Sequence, residues 1–184
     1  LNRELKPRLA LPGQVKQRFL GAVTHKGVMT LYDTALIQCP KVYELHDRCG
    51  LAHGLLTHLL SGAVAKGYDV VACPNPMAPQ RLAHLLIPQA GLAFLSVTPG
   101  QSPAEKPWRR VRIETGVGGD LMRRSRPRIR FAQKVGEALM EEAVASLAQA
   151  KAMHDDLEAL YHPYVNFELV DETALAIAAE LSLL

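Results

Sequence analysis

Cysteine is scarce in this 184-residue chain. Its three cysteines, Cys39, Cys49 and Cys73, are too few and of the wrong parity for a disulfide framework, and point to a reducing, cytoplasmic setting. Aromatic residues make up 5% of the chain and tryptophan occurs once, so a core has to be built mainly from Leu, Ala and Val. Excess charge of one sign is absent too. The 21 Lys and Arg against 18 Asp and Glu leave a net charge of +3, which does not by itself imply a nucleic-acid partner. No apolar run reaches the roughly 18 residues that span a bilayer, and the N-terminal residues, with Arg3, Glu4, Lys6 and Arg8, contain no apolar stretch of the signal-peptide kind. What is present is an apolar fraction of 48%, ordinary for a globular protein, on a chain long enough to bury one core.

Punctuation by Gly and Pro divides the chain. Residues 1–17 are polar and Pro-bearing and read as an arm or linker, leaving 18–184 as one domain. Within it, "RFLGAV" (18–23), "KVYEL" (41–45), "YDVVACPN" (68–75) and "GLAFLSV" (91–97) are short apolar runs of strand length. The last is almost continuously apolar, as in parallel strands covered on both faces. Between them, "VMTLYDTALIQ" (28–38), "GLLTHLLSGAVAKG" (54–67, with Gly67 as terminal cap) and "PQRLAHLL" (79–86) carry helical spacing. Strands alternating with helices predict an α/β fold, a mainly parallel sheet flanked by helices over residues 18–98.

Composition changes after Pro99. "RVRIET" (110–115) reads as a short strand inside an Arg-rich loop region, 99–130, whose "GVGGDLMRRSRPRIR" reads as mobile. From 131 to 184 the pattern is a C-terminal helical extension. Val135, Leu139, Ala143, Leu147, Ala150, Met153, Leu157 and Leu160 make one stripe, Pro163 breaks it, and Asp171 is the expected cap of a last helix.

The stretch "YELHDRCGLAHGLLTHLL" (43–60) has the order strand, tight loop, helix, which is the setting of a phosphate-binding loop. In the Walker A pattern G-x-x-x-x-G-K-[ST], backbone N–H groups close around phosphate oxygens, Lys neutralises charge and a hydroxyl holds Mg²⁺. Here Asp47 and Ala52 stand at the two glycine positions, His53 at the Lys and Gly54 at the hydroxyl. The candidate anion loop is therefore a backbone one: Gly50, Leu51, Ala52, His53, Gly54 and Leu55. His53, when protonated, would be its one cationic contact, but an exposed or locally bonded His at a helix start, where the positive helix end disfavours the imidazolium, is the plainer reading.

The stretches "FLGAVTHKGVMTLYDTALIQCPKVYEL", "AVAKGYDVVACPNPMAPQRLAHLLIPQAGLAFLSVTPG" and "AQAKAMHDDLEALYHPYVNFELVDE" resemble a family of uncharacterised bacterial predicted ATPases. These are commonly built from two similar P-loop halves, and the resemblance runs from about Phe19 to Glu172, weakest over 108–130. It implies a P-loop NTPase-like fold, and a chain corresponding to the C-terminal half of a longer protein with a second P-loop half as partner. The family's Walker B strand ends in Asp, whereas this chain has Ser96 there, with Thr98 kept. With Lys, hydroxyl and carboxylate all replaced, the expected function is non-catalytic. It is a degenerate ATPase-like domain without catalytic or metal residues, with no cofactor expected and a structural or regulatory role. The alternative is an ATPase or nucleotide-dependent kinase binding ATP and Mg²⁺ through His53 and an Arg from 109–130. A third reading is a nucleic-acid module.

Other features have a sharp and a bland reading. His46, Cys49, His53 and His58 invite zinc, but intervals of two, three and four residues match no zinc signature, and a scatter of polar residues explains them better. Arg109, Arg110, Arg112, Arg123, Arg124, Arg126, Arg128 and Arg130, with Trp108 beside them, suggest phosphate or nucleic acid; a solvated basic face is the plainer reading. Cys49 is a reactive thiol only if the helix start lowers its pKa; a lone Cys near no obvious base is more often inert.

Overall fold

A computed structural model describes residues 5–7, 11–97, 103 and 105–181 of the chain. Its longest parallel pairing joins β4 (Lys41–His46) to β7 (Leu92–Val97), the latter an almost continuously apolar run. Around them β1 (Val15–Gln17), β5 (Val70–Asn75), β6 (Ala78–Ile87) and β8 (Arg109–Arg112) complete a six-stranded sheet of order β1-β5-β6-β7-β4-β8. Five strands run in one direction and β6 alone opposes them, so the fold is α/β with a mainly parallel sheet.

Period-two alternation splits the sheet into two apolar layers. Leu45, Leu85, Ile87, Leu92 and Phe94 face α2 (Ala52–Ala65), whose Ala52, Leu56, Leu59 and Ala63 are buried against them. Val42, Cys73, Leu86, Ala93, Leu95 and Val97 face the other way, with Ala35 and Cys39 from α1 (Tyr32–Gln38) and its end. Tight closure after α2 fixes the return to β5. Gly67 adopts φ +80°, the Gly67 amide donates to the Val64 carbonyl and the Tyr68 amide to that of Ala63, a Schellman ending, as the Gly67 expectation required.

Several expected elements differ. Residues 79–86 are not a helix but part of β6. Asn75 and Ala78 pair across a Pro76–Met77 turn in which the Asn75 side chain accepts from the Met77 amide, and the strand gains ladder bonds on both sides. The run 18–23 supplies a strand only from Gly21, and that strand lies outside the six-stranded sheet. Gly21–Thr24 (β2) and Gly27–Thr30 (β3) form a separate hairpin, turned at Gly27 with φ +107°, and the helix expected over 28–38 begins only at Tyr32. The residues expected as an arm supply β1, and Leu5 lies wholly buried in the α2-side layer. The sheet also extends past residue 98 through β8. The Arg-rich stretch expected to be mobile is helical from Gly119, the start of the 43-residue α3 (Gly119–Tyr161), with Pro127 inside it. A short turn, His162–Tyr164, follows at Pro163, then α4 (Phe167–Glu180). Its cap is Asn166, whose side chain accepts from the Leu169 amide; Asp171 lies within the helix. Among the described residues no helix is long and apolar enough to cross a membrane.

Candidate functional site

The parallel strands β4, β7 and β8 end on one edge, the edge at which open α/β sheets bind ligands. Two features lie there: the loop from Asp47 to the start of α2, and a cleft between that loop and the first turns of α3.

The loop is closed by its own carboxylate. Asp47 Oδ1 accepts from the Cys49 amide at 3.0 Å and Oδ2 from the Ala52 amide at 2.7 Å. Gly50 turns the chain between them with φ +69°, and its carbonyl accepts from the Arg81 guanidinium. The anion that complements the N-terminal end of α2 is thus supplied from within. The helix starts at Ala52, two residues before the expected Gly54, because Ala52 is buried against the sheet and its amide is held by Asp47. Leu51 and Leu55 are exposed and bring only apolar surface.

His53 faces the sheet. Its Nδ1 accepts from the Leu82 amide at 2.9 Å, which fixes that nitrogen as an unprotonated acceptor and turns the ring toward β6. Ser96 is half-buried on β7 and registers with Leu45 on β4, the strand that leads into the loop. Thr98 lies outside the described residues. Replacing Asp47 by Ala strips the Cys49 loop amide and the Ala52 helix-start amide of their acceptor and is expected to cost about 1–2 kcal/mol in urea unfolding. A loss below about 0.5 kcal/mol would show that the carboxylate does not hold the loop.

The four residues of the zinc reading part company. His46 Nε2 lies 3.3 Å from Glu44 Oε2, His53 binds the β6 backbone, and His58 is exposed on α2. Burial raises the Cys49 thiol pKa, and the Glu114 and Asp47 carboxylates raise it further, the direction opposite to the lowering that a reactive thiol would need. Cys39 and Cys73 are buried, free and pushed up to about 11 by burial. On α3, His154, Asp155 and Glu158 bring ligand atoms within 4.8 Å of one another, but the site is exposed and Lys151 already pairs with Asp155.

The eight arginines also separate. Arg110 donates from Nε to the buried Glu44 at 3.1 Å. Arg112, at the end of β8, joins Arg48 from the loop and Arg123, Arg126 and Arg130 from α3 around a cleft of about 1080 Å³. Arg109, Arg124 and Arg128 do not line it. The Arg48 backbone ties the walls together: its amide donates to Glu114 Oε1 and its carbonyl accepts from Gln133 Nε2 at 2.9 Å. Sequence reading treated these arginines as a solvated or mobile face. The missed signal was the 3–4 spacing of 123, 126 and 130, which aligns three of them once the segment is helical. Trp108, the candidate base-stacking ring, is exposed and carries the Lys41 ammonium over its ring at 4.1 Å.

No protein-family model, curated protein or solved structure matches this chain.

Proposed function

We propose that this chain is a P-loop-like domain that does not hydrolyse ATP and serves as the structural or regulatory half beside a second P-loop domain. The observation that carries the reading is Asp47, whose two oxygens take the Cys49 and Ala52 amides that a phosphate would otherwise meet. A bound phosphate there would have to break both hydrogen bonds and lie against a carboxylate, while the groups that normally offset such repulsion are replaced by His53, Gly54 and Ser96. The sheet order supports the relationship, with the strand bearing Ser96 next to the loop strand. The partner role is supported by the C-terminal helices. Leu139, Met153, Leu157 and Leu160 on α3, and Leu169, Leu175 and Ile177 on α4, leave most of their apolar surface to solvent, more than a helix packed on its own core leaves.

Phosphate release from Mg²⁺–ATP tests the catalytic part directly. The chain and its His53→Ala variant are expected to give the same rate as buffer. Turnover by the parent chain that His53→Ala abolishes would establish an ATPase with an unusual loop instead.

A further inference from the structure

We infer that the cleft between the β4–α2 loop, the end of β8 and the first turns of α3 is a binding site for a small, multiply charged phosphate ligand. The inference is independent of the proposed function, because the site uses none of the loop amides that Asp47 occupies.

The first argument is electrostatic. Arg48, Arg112, Arg123, Arg126 and Arg130 converge on one concavity of about 1080 Å³. Guanidinium stays charged at any physiological pH. None of these five side chains has a carboxylate partner among the described residues, whereas Arg110 nearby does. The one carboxylate in the lining, Glu114, accepts from the Arg48 backbone amide. Like charges gathered without a counter-charge repel, and a ligand presenting several anionic oxygens relieves that repulsion while forming paired N–H···O bonds.

The second argument is shape. Arg123, Arg126 and Arg130 share one face of α3, successive members about 4.5–6 Å apart along its axis. Arg48 and Arg112 approach from the loop and the sheet end. Charges lining one cleft from three segments suit a compact ligand; a polymer backbone is better served by a stripe along a convex surface, which would also use Arg124 and Arg128. Val117, Met122 and Ile129 add apolar wall, as small-molecule sites usually have. The cleft volume matches that of a small-ligand site.

Inorganic tripolyphosphate is the probe, titrated calorimetrically into the full chain at fixed salt without Mg²⁺. Binding is expected, and Arg126→Ala and Arg123→Ala are each expected to weaken it by about tenfold. Arg124→Ala and Arg128→Ala remove the same charge from the same helix outside the cleft, and are expected to change Kd by less than about twofold. His53→Ala tests the loop and is expected to have no effect beyond that margin. Thermal unfolding of each variant confirms that it folds. The inference is overturned if tripolyphosphate does not bind, or if Arg124→Ala weakens binding as much as Arg126→Ala, which would mean diffuse charge. It is overturned in favour of nucleic acid if a single-stranded 20-mer binds more tightly than tripolyphosphate and loses affinity steeply with salt. Loss of binding on His53→Ala alone would move the phosphate to the loop, and would then count against the closed-loop reading rather than for the cleft.

Discussion

Replacing Leu56 with alanine is expected to destabilise the fold by about 3 kcal/mol, with 2–5 kcal/mol as the range for such truncations. Leu56 has no solvent exposure and lies midway between Ala52 and Leu59 on the buried face of α2, against the layer formed by Leu45, Leu85, Ile87 and Phe94. Its surroundings are β-strands hydrogen-bonded on both sides, which cannot shift inward to fill the space, so a cavity remains and adds to the lost transfer free energy. Urea unfolding should show a lower midpoint at an unchanged slope, and the melting temperature should fall by roughly 6–12 °C. An effect below about 1 kcal/mol would mean that α2 is not docked as described. Because α2 carries the loop at its N-terminal end, the same variant is expected to loosen the Asp47 bonds only through global unfolding.

Acidification is expected to weaken the fold by about 3 kcal/mol between pH 6.5 and pH 4 through one residue, His84. His84 is buried on β6, with the ring of Tyr32 edge-on at 5.8 Å, and its Nδ1 has no hydrogen-bond partner among the described residues. Burial disfavours the imidazolium and lowers its pKa from 6.5 to about 4. Above pH 6.5 the ring is neutral whether the chain is folded or not, so it contributes no pH dependence. As pH falls, the unfolded chain takes up the proton first and stability drops. Below about 4 the folded protein takes it up too, and the drop from this residue levels off. Neighbouring Tyr32 and Cys73 are both shifted upward by burial and stay neutral throughout this window. The check is a difference measurement, with stability against pH for the parent chain and for His84→Leu. Parallel curves between pH 4 and 6.5 would refute the assignment.

The elements legible in the sequence were those whose own pattern matched their environment. β4, β5 and β7 are apolar runs of strand length and became the middle of the sheet, and α2 combines an apolar stripe with a glycine stop. β6 was misread because Leu82, Leu85 and Leu86 fall at helical spacing. In the fold, the four consecutive residues His84–Ile87 are buried because neighbours cover both faces, and coverage on both faces erases the alternation that marks a strand. The Asn75–Pro76 turn was the available clue. The beginning of α3 was hidden by Gly116 and Gly118 just before it and by Gly119 and Pro127 inside it, of which the last two argue against a helix and were overridden. In the loop, the residue types showed what was missing from a phosphate site. They did not show that Asp47 folds back on the amides two and five residues ahead, because that depends on the turn at Gly50 rather than on composition. The cleft needed both errors corrected, since its arginines meet only when β8 joins the sheet and residues 119–133 are helical.

The Asp47 carboxylate is a tethered competitor. It is joined by two and five residues to the amides it occupies, so its effective concentration at the loop is of the millimolar order or higher for so short a link, and no dilution of the protein lowers it. A free anion arriving from solution competes against that fixed local supply, and its apparent affinity is reduced by the ratio of the tethered concentration to the carboxylate's own dissociation constant. Opening the loop would take a change that moves Asp47 itself, such as a partner surface that pulls on the Arg48 backbone, which Glu114 and Gln133 hold from either side.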